Sequence, residues 1–121
     1  MTEIKNTKQY DLEERTFEFA KRVIKFCKKL KRTTENIKLI DQVVRATGSI
    51  GANYIEANEA LSKKDFIMRI KISRKESKES RYWLRLIVET NNLESDEEGE
   101  FLINEASEFI KIFNSIITKS K

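Results

Sequence analysis

Histidine and proline do not occur among the 121 residues, and cysteine occurs once. Without histidine the chain lacks the commonest general base and the commonest transition-metal ligand. Its serines and its single thiol have no imidazole to activate them, so an enzyme is not expected. Glu56–Glu59 and Glu76–Glu79 have a spacing used in carboxylate-bridged dimetal bundles, but that chemistry ordinarily takes a histidine three residues after a glutamate. No metal and no cofactor are expected. Cys27 alone excludes a disulfide framework and fits a reducing, cytoplasmic setting, where it reads as a small buried hydrophobe. Long apolar runs are also missing. The longest uncharged stretch, Ala46 to Ile55, is far short of the roughly 20 residues that cross a bilayer. Met1 to Asn6 carry no apolar signal core, so no membrane association is expected.

What remains is helix-forming and charged. With three glycines and 36% charged residues, little interrupts helical order. The net charge of +4 conceals a segmental pattern: +5 over residues 1–32, −2 over 33–62, +5 over 63–92 and −4 over 93–121. These segments coincide with four expected helices. The first should cover 11–30, with Asp11 as N-cap and Leu12, Thr16, Phe19, Val23, Phe26 and Leu30 on its apolar face. The second should cover 34–61. The third should cover 63–92, capped by Ser62 with Asp65 three residues on, and would be roughly 42 Å long at 1.5 Å per residue. The fourth should cover 96–119, after Ser95 with Glu98 as capping partner. Long helices with short connections imply an all-α, antiparallel up-down-up-down four-helix bundle occupying 1–121 as one domain.

The segment Ser49-Ile50-Gly51-Ala52-Asn53-Tyr54-Ile55-Glu56-Ala57 stands out inside the second helix. Gly48 and Gly51 lie in or beside it, and a helical glycine costs about 1 kcal/mol relative to alanine. Close approach of another backbone is the expected reason. A tight turn near Ser62 would set Ala52 near Ser73 and Ser49 near Ser77, small residue against small residue. Asn53 falls on the apolar stripe and needs partners. The same register brings Arg69 toward Glu56, and Arg45 toward Glu76 or Glu79. These six residues read either as polar ties that fix helix register or as the groups of a ligand or partner site.

The strongest functional candidate is the row Lys71, Arg74, Lys78, Arg81 and Arg85 on one face of the third helix, with Tyr82 among them as a surface on which a base could stack. The first helix adds Lys21, Lys25, Lys28 and Arg32. Such rows attract phosphate backbones through counterion release without reading sequence. The alternative is charge compensation, with the basic first and third helices packed beside the acidic second and fourth. Trp83 lies on the flank of the third helix, positioned either to close the core or to anchor a subunit contact.

The central segment, preceded by Gln42-Val43-Val44-Arg45-Ala46, resembles the signature of bacterial four-helix-bundle proteins encoded in intervening sequences of 23S rRNA genes. Tyr10-Asp11-Leu12-Glu13-Glu14-Arg15-Thr16, Lys64-Asp65-Phe66 and Glu76-Ser77-Lys78-Glu79-Ser80-Arg81-Tyr82-Trp83-Leu84 resemble a common branch of that family. The resemblance runs from about residue 8 to 118. It implies an up-down bundle that assembles as a homo-oligomer, typically a ring-like pentamer. The family is similar to the accessory protein of diversity-generating retroelements, a basic pentamer that associates with a reverse transcriptase and nucleic acid. Two functions follow as expectations: a non-enzymatic oligomer that binds RNA or another nucleic acid through the first and third helices, or a scaffold whose charged faces serve self-assembly or a protein partner.

Overall fold

The computed structural model describes the backbone of residues 2–120 and the side chains of residues 11–120. Four helices follow one another: α1 (Thr2–Cys27), α2 (Thr34–Asn58), α3 (Lys63–Thr90) and α4 (Glu97–Ser120). Side-chain contacts give the direction of each pair. Arg15 meets Glu105 and Arg22 meets Glu98 across α1–α4. Asn53 meets Arg69 and Asn36 meets Asn91 across α2–α3. Arg74 meets Asn114 and Arg81 meets Ser107 across α3–α4. In each case rising numbers on one helix meet falling numbers on the other, so the neighbours are antiparallel. α1 packs on α2 and α4, α3 packs on α2 and α4, and the diagonal helices stand farther apart, with Tyr54 of α2 reaching across the core to Phe113 of α4 at 6.1 Å between ring centroids. The result is a four-helix bundle.

Local chemistry sets the helix ends. Thr33 caps α2 by accepting from the Asn36 amide at 3.1 Å, and Ser62 caps α3 by accepting from the Asp65 amide at 3.1 Å. α1 starts at Thr2, so Asp11 lies inside a helix rather than at its cap. It also ends earlier than expected, at Cys27. The Lys29 and Leu30 amides there close tighter bonds onto Phe26 and Cys27, and Leu30 folds back into the core. α2 stops at Asn58, where the Glu59 and Ala60 amides close tighter bonds onto the Glu56 and Ala57 carbonyls ahead of the Ser62 cap, and Leu61 in that turn is exposed. α3 ends at Thr90, where Asn92 takes a left-handed φ of 56° and the Leu93 amide returns to the Val88 carbonyl. That is the closure expected of asparagine past a helix C-terminus. At α4 the cap is Asp96, not Ser95: its carboxylate accepts from the Gly99 amide at 2.8 Å.

The core is built from the expected stripes. Phe19, Val23, Val43, Ile50, Ile70, Leu84, Ile87, Leu102, Phe109 and Phe113 are buried, each contributing about 1.5–3 kcal/mol by leaving water. Phe19 meets Phe109 edge-on at 5.3 Å. A polar seam runs through the α2–α3 contact, where Ser73, Ser77 and Ser80 are buried on α3. Ser73 donates to the Ile50 carbonyl at 3.0 Å and Ser77 to its own helix at Ser73. The small residues of α2 do not all serve that seam. A Cβ on Gly51 would lie 2.8 Å from Thr16 Oγ1, so this glycine admits α1, and a Cβ on Gly48 would meet nothing. Ala52 is exposed, and it is Ile50 rather than Ala52 that lies opposite Ser73. Position 51 sits about 100° around the helix from position 50, which turns it from α3 toward α1.

Candidate nucleic-acid interface

Helical period places Lys71, Arg74, Lys78, Arg81 and Arg85 in one row along α3, and the fold turns this row toward the outer edge shared with α4. Arg74 Nη1 donates to Asn114 Oδ1 at 2.8 Å, and Arg81 Nη1 to Ser107 Oγ at 3.3 Å. Both acceptors are neutral. They hold two guanidinium groups in place without cancelling their charge. Among the described residues, Arg85 is the one member of the row with a carboxylate within 4.0 Å: Glu89, 3.8 Å away on the same helix and 59% exposed. An exposed pair of this kind contributes little. From Lys71 to Arg81 the row therefore has no carboxylate partner among the described residues, a length of roughly 15 Å.

The fourth helix spends its carboxylates elsewhere. Arg15 donates to both oxygens of Glu105 at 2.8 Å, and its guanidinium lies 5.3 Å from the Phe109 ring centroid. Arg22 donates to both oxygens of Glu98 at 3.0 and 2.6 Å and stacks 3.8 Å from the Phe101 centroid. Hydrogen bonding from Arg22 holds the Glu98 carboxyl below its usual value, and donating to these carboxylates pushes both guanidinium groups up. Charge compensation thus operates on the α1–α4 seam and leaves the α3 row out. Sequence reasoning missed these pairs. Their signal was the matched seven-residue spacing of Arg15 with Arg22 and Glu98 with Glu105.

The basic face of α1 lies at another corner. Lys21 pairs with Glu18 at 3.0 Å on its own helix and sits over Phe17, while Lys25, Lys28 and Arg32 are exposed. Since α1 and α3 are diagonal, their basic faces do not form one surface. At the end of the bundle where α1 gives way to α2, a cavity of about 780 Å³ carries Lys29, Lys31 and Lys38 at its rim. Its floor includes Asn36 and Asn91, whose amides donate to one another at 2.9 and 3.0 Å.

Tyr82 stands beside the α3 row with 58% of its surface exposed, and its ring meets Trp83 edge-on at 5.1 Å. Trp83 is half-buried against the core.

The polar ties form with changed partners. Arg69 Nη1 donates to Asn53 Oδ1 at 3.0 Å, and Asn53 Nδ2 donates to the Ser49 carbonyl; Glu56 stays exposed. Arg45 bonds to Asp41, one turn away, at 3.5 Å; it makes no ion pair with Glu76 within 4.0 Å but approaches closely enough to act on its carboxyl. Burial raises the Glu76 carboxyl and Glu79 adds to the shift, against the smaller opposing influences of Lys75 and Arg45. Among the described residues no three metal-ligating side chains gather, and no helix is long and apolar enough to cross a membrane.

Fold and surface define an all-helical bundle with one side tightly charge-paired and one edge openly cationic. The chain belongs to the 23S rRNA-intervening sequence protein family, whose model matches residues 8–115. It is similar to a protein of unknown function from the S23 ribosomal protein family of Bacteroides thetaiotaomicron, solved by crystallography. The two are 35% identical, with a TM-score of 0.78, over 87% of this chain and 96% of that one. No curated protein matches the sequence.

Proposed function

We propose that this protein is a non-enzymatic binder of RNA or a similar polyanion, with the α3 row as its contact surface. One observation carries the reading: Lys71, Arg74, Lys78 and Arg81 have no carboxylate partner among the described residues, although the chain's acidic helix lies beside them. Cations kept free on a rigid helix edge are what counterion release requires. In fluorescence anisotropy with a labelled structured RNA, binding should be clear at low salt and weaken steeply as salt rises. Lys78→Glu with Arg81→Glu should lower affinity about a hundredfold, since two contacts are lost and two repulsions added. Absence of binding at low salt would remove the reading.

A second reading, homo-oligomeric assembly with a pentamer as the expected form, is supported by apolar residues left in water. Glu13 accepts from Asn58 at 2.9 Å, marking the edge of α1 that faces α2. Phe17 follows Glu13 by four residues and Ile24 by eleven, so they share that edge, 60% and 42% exposed. Gly51 marks the facing edge of α2, which carries Ile55 at 47% exposure and the open Gly48. Lys21, Lys25 and Lys28 rim this groove, while exposed Glu97, Glu100 and Glu108 surround Phe101 on α4. Basic groove against acidic helix is a head-to-tail complementarity, which closes into a ring when the rotation permits. Light scattering should give a multiple of the 14.3 kDa chain mass. A clean monomer would contradict this reading.

A further inference from the structure

We infer that the ligand of the α3 row is single-stranded nucleic acid, with an unpaired base stacked on Tyr82. The inference rests on the polyanion reading above and adds the strandedness of the partner. A row of cations alone would suit the backbone of a duplex or of a single strand. Tyr82 separates the two. It lies four residues after Lys78 and three before Arg85, on the outer side of the row and 58% exposed. Its edge-on contact with Trp83 at 5.1 Å leans it on a side chain that is itself packed against the core. In a duplex the base faces are covered by their neighbours in the stack; only an unpaired base offers a face to an aromatic ring. Cationic track plus exposed ring is the combination by which proteins hold single strands without reading sequence. Arg74 and Arg81, fixed by Asn114 and Ser107, keep the track straight beside the ring.

The test uses the full chain and a mixed-sequence 12-nucleotide oligomer, either single-stranded or annealed to its complement, with 2-aminopurine at one position of the labelled strand. The single strand should bind at least tenfold more tightly than the duplex. 2-Aminopurine emission should change on binding, as it does when a base moves from one stacking partner to another. Tyr82→Ala should lower single-strand affinity about tenfold and abolish that emission change, while Tyr82→Phe retains both. Circular dichroism should show all variants equally helical, because the ring is mostly in solvent. Two results would overturn the inference while leaving the polyanion reading intact. One is equal binding of single strand and duplex. The other is wild-type binding by Tyr82→Ala alongside loss of binding in the Lys78→Glu, Arg81→Glu variant. No binding of either form at low salt would remove both.

Discussion

The two long sides of α4 carry opposite solutions to the same problem. Toward α1, Glu98 and Glu105 each take an arginine in a two-pronged grip, and each arginine also lies over an aromatic ring. Toward α3, the arginines find only an amide oxygen and a hydroxyl. A chain with this many carboxylates could have neutralised both sides. That it neutralises one shows the segmental charge pattern to be more than bulk balance: the α1–α4 seam is fitted for cohesion, and the α3 edge is left available.

Giving the open edge what the closed seam has would be the severest test of that contrast. Asn114→Glu with Ser107→Glu places carboxylates where Arg74 and Arg81 now reach. Nucleic-acid affinity should fall about tenfold by titration at fixed salt, with stability raised by no more than about 1 kcal/mol. The converse change breaks the seam. Arg15→Ala removes two charge-assisted hydrogen bonds to a mostly buried Glu105 and should cost about 1–2 kcal/mol in urea unfolding, with binding unaltered.

The fit of α1 against its other neighbour can be broken at one atom. Gly51→Ala forces a Cβ to 2.8 Å from Thr16 Oγ1 and 3.2 Å from Thr16 Cβ, and Thr16 is buried and tied to the Glu13 carbonyl. A net loss of about 1 kcal/mol is expected, overpacking outweighing the gain in helix propensity. Gly48→Ala, facing open space, should instead gain about 0.5–1 kcal/mol. The smallest effect is on pH dependence. Glu98 is held below its usual value of 4.5 by Arg22, so its contribution is present above the ordinary carboxylate range and is lost as pH falls through the depressed value. Glu98→Gln should flatten the acid limb of the stability profile slightly, measured by thermal unfolding from pH 6 downward to about pH 3.

Much of the bundle was legible in period and caps: four helices, the Ser62 cap, and the stripes through Phe19, Ile50, Leu84 and Phe109. Period reveals a face, however, and not which neighbour that face meets. Gly51, inside the segment expected to face α3, therefore admits α1 instead, and Arg69, which does lie in one groove with Glu56, bonds to Asn53 one turn earlier. The caps failed where a stronger local competitor stood nearby, as Asp96 does beside Ser95. The basic row of α3 was visible from spacing alone. Its freedom from carboxylates was not, because that depends on the α3–α4 register, which sets Asn114 and Ser107 opposite it. The α1–α4 pairs join residues 90 and 76 positions apart, beyond the reach of local pattern. Nor does period show that the fold leaves Phe17, Ile24 and Ile55 exposed.

The most direct measurement is the salt dependence of nucleic-acid binding in two matched variants. Lys71→Gln with Lys78→Gln removes two cations from the α3 row, and Lys25→Gln with Lys28→Gln removes two from α1. For single-stranded RNA the slope of log affinity against log salt should become shallower by about 1.4 in the first variant and stay near the wild-type value in the second. Equal slopes in the two variants, or a larger change in the α1 variant, would contradict the assignment of the α3 edge as the binding surface.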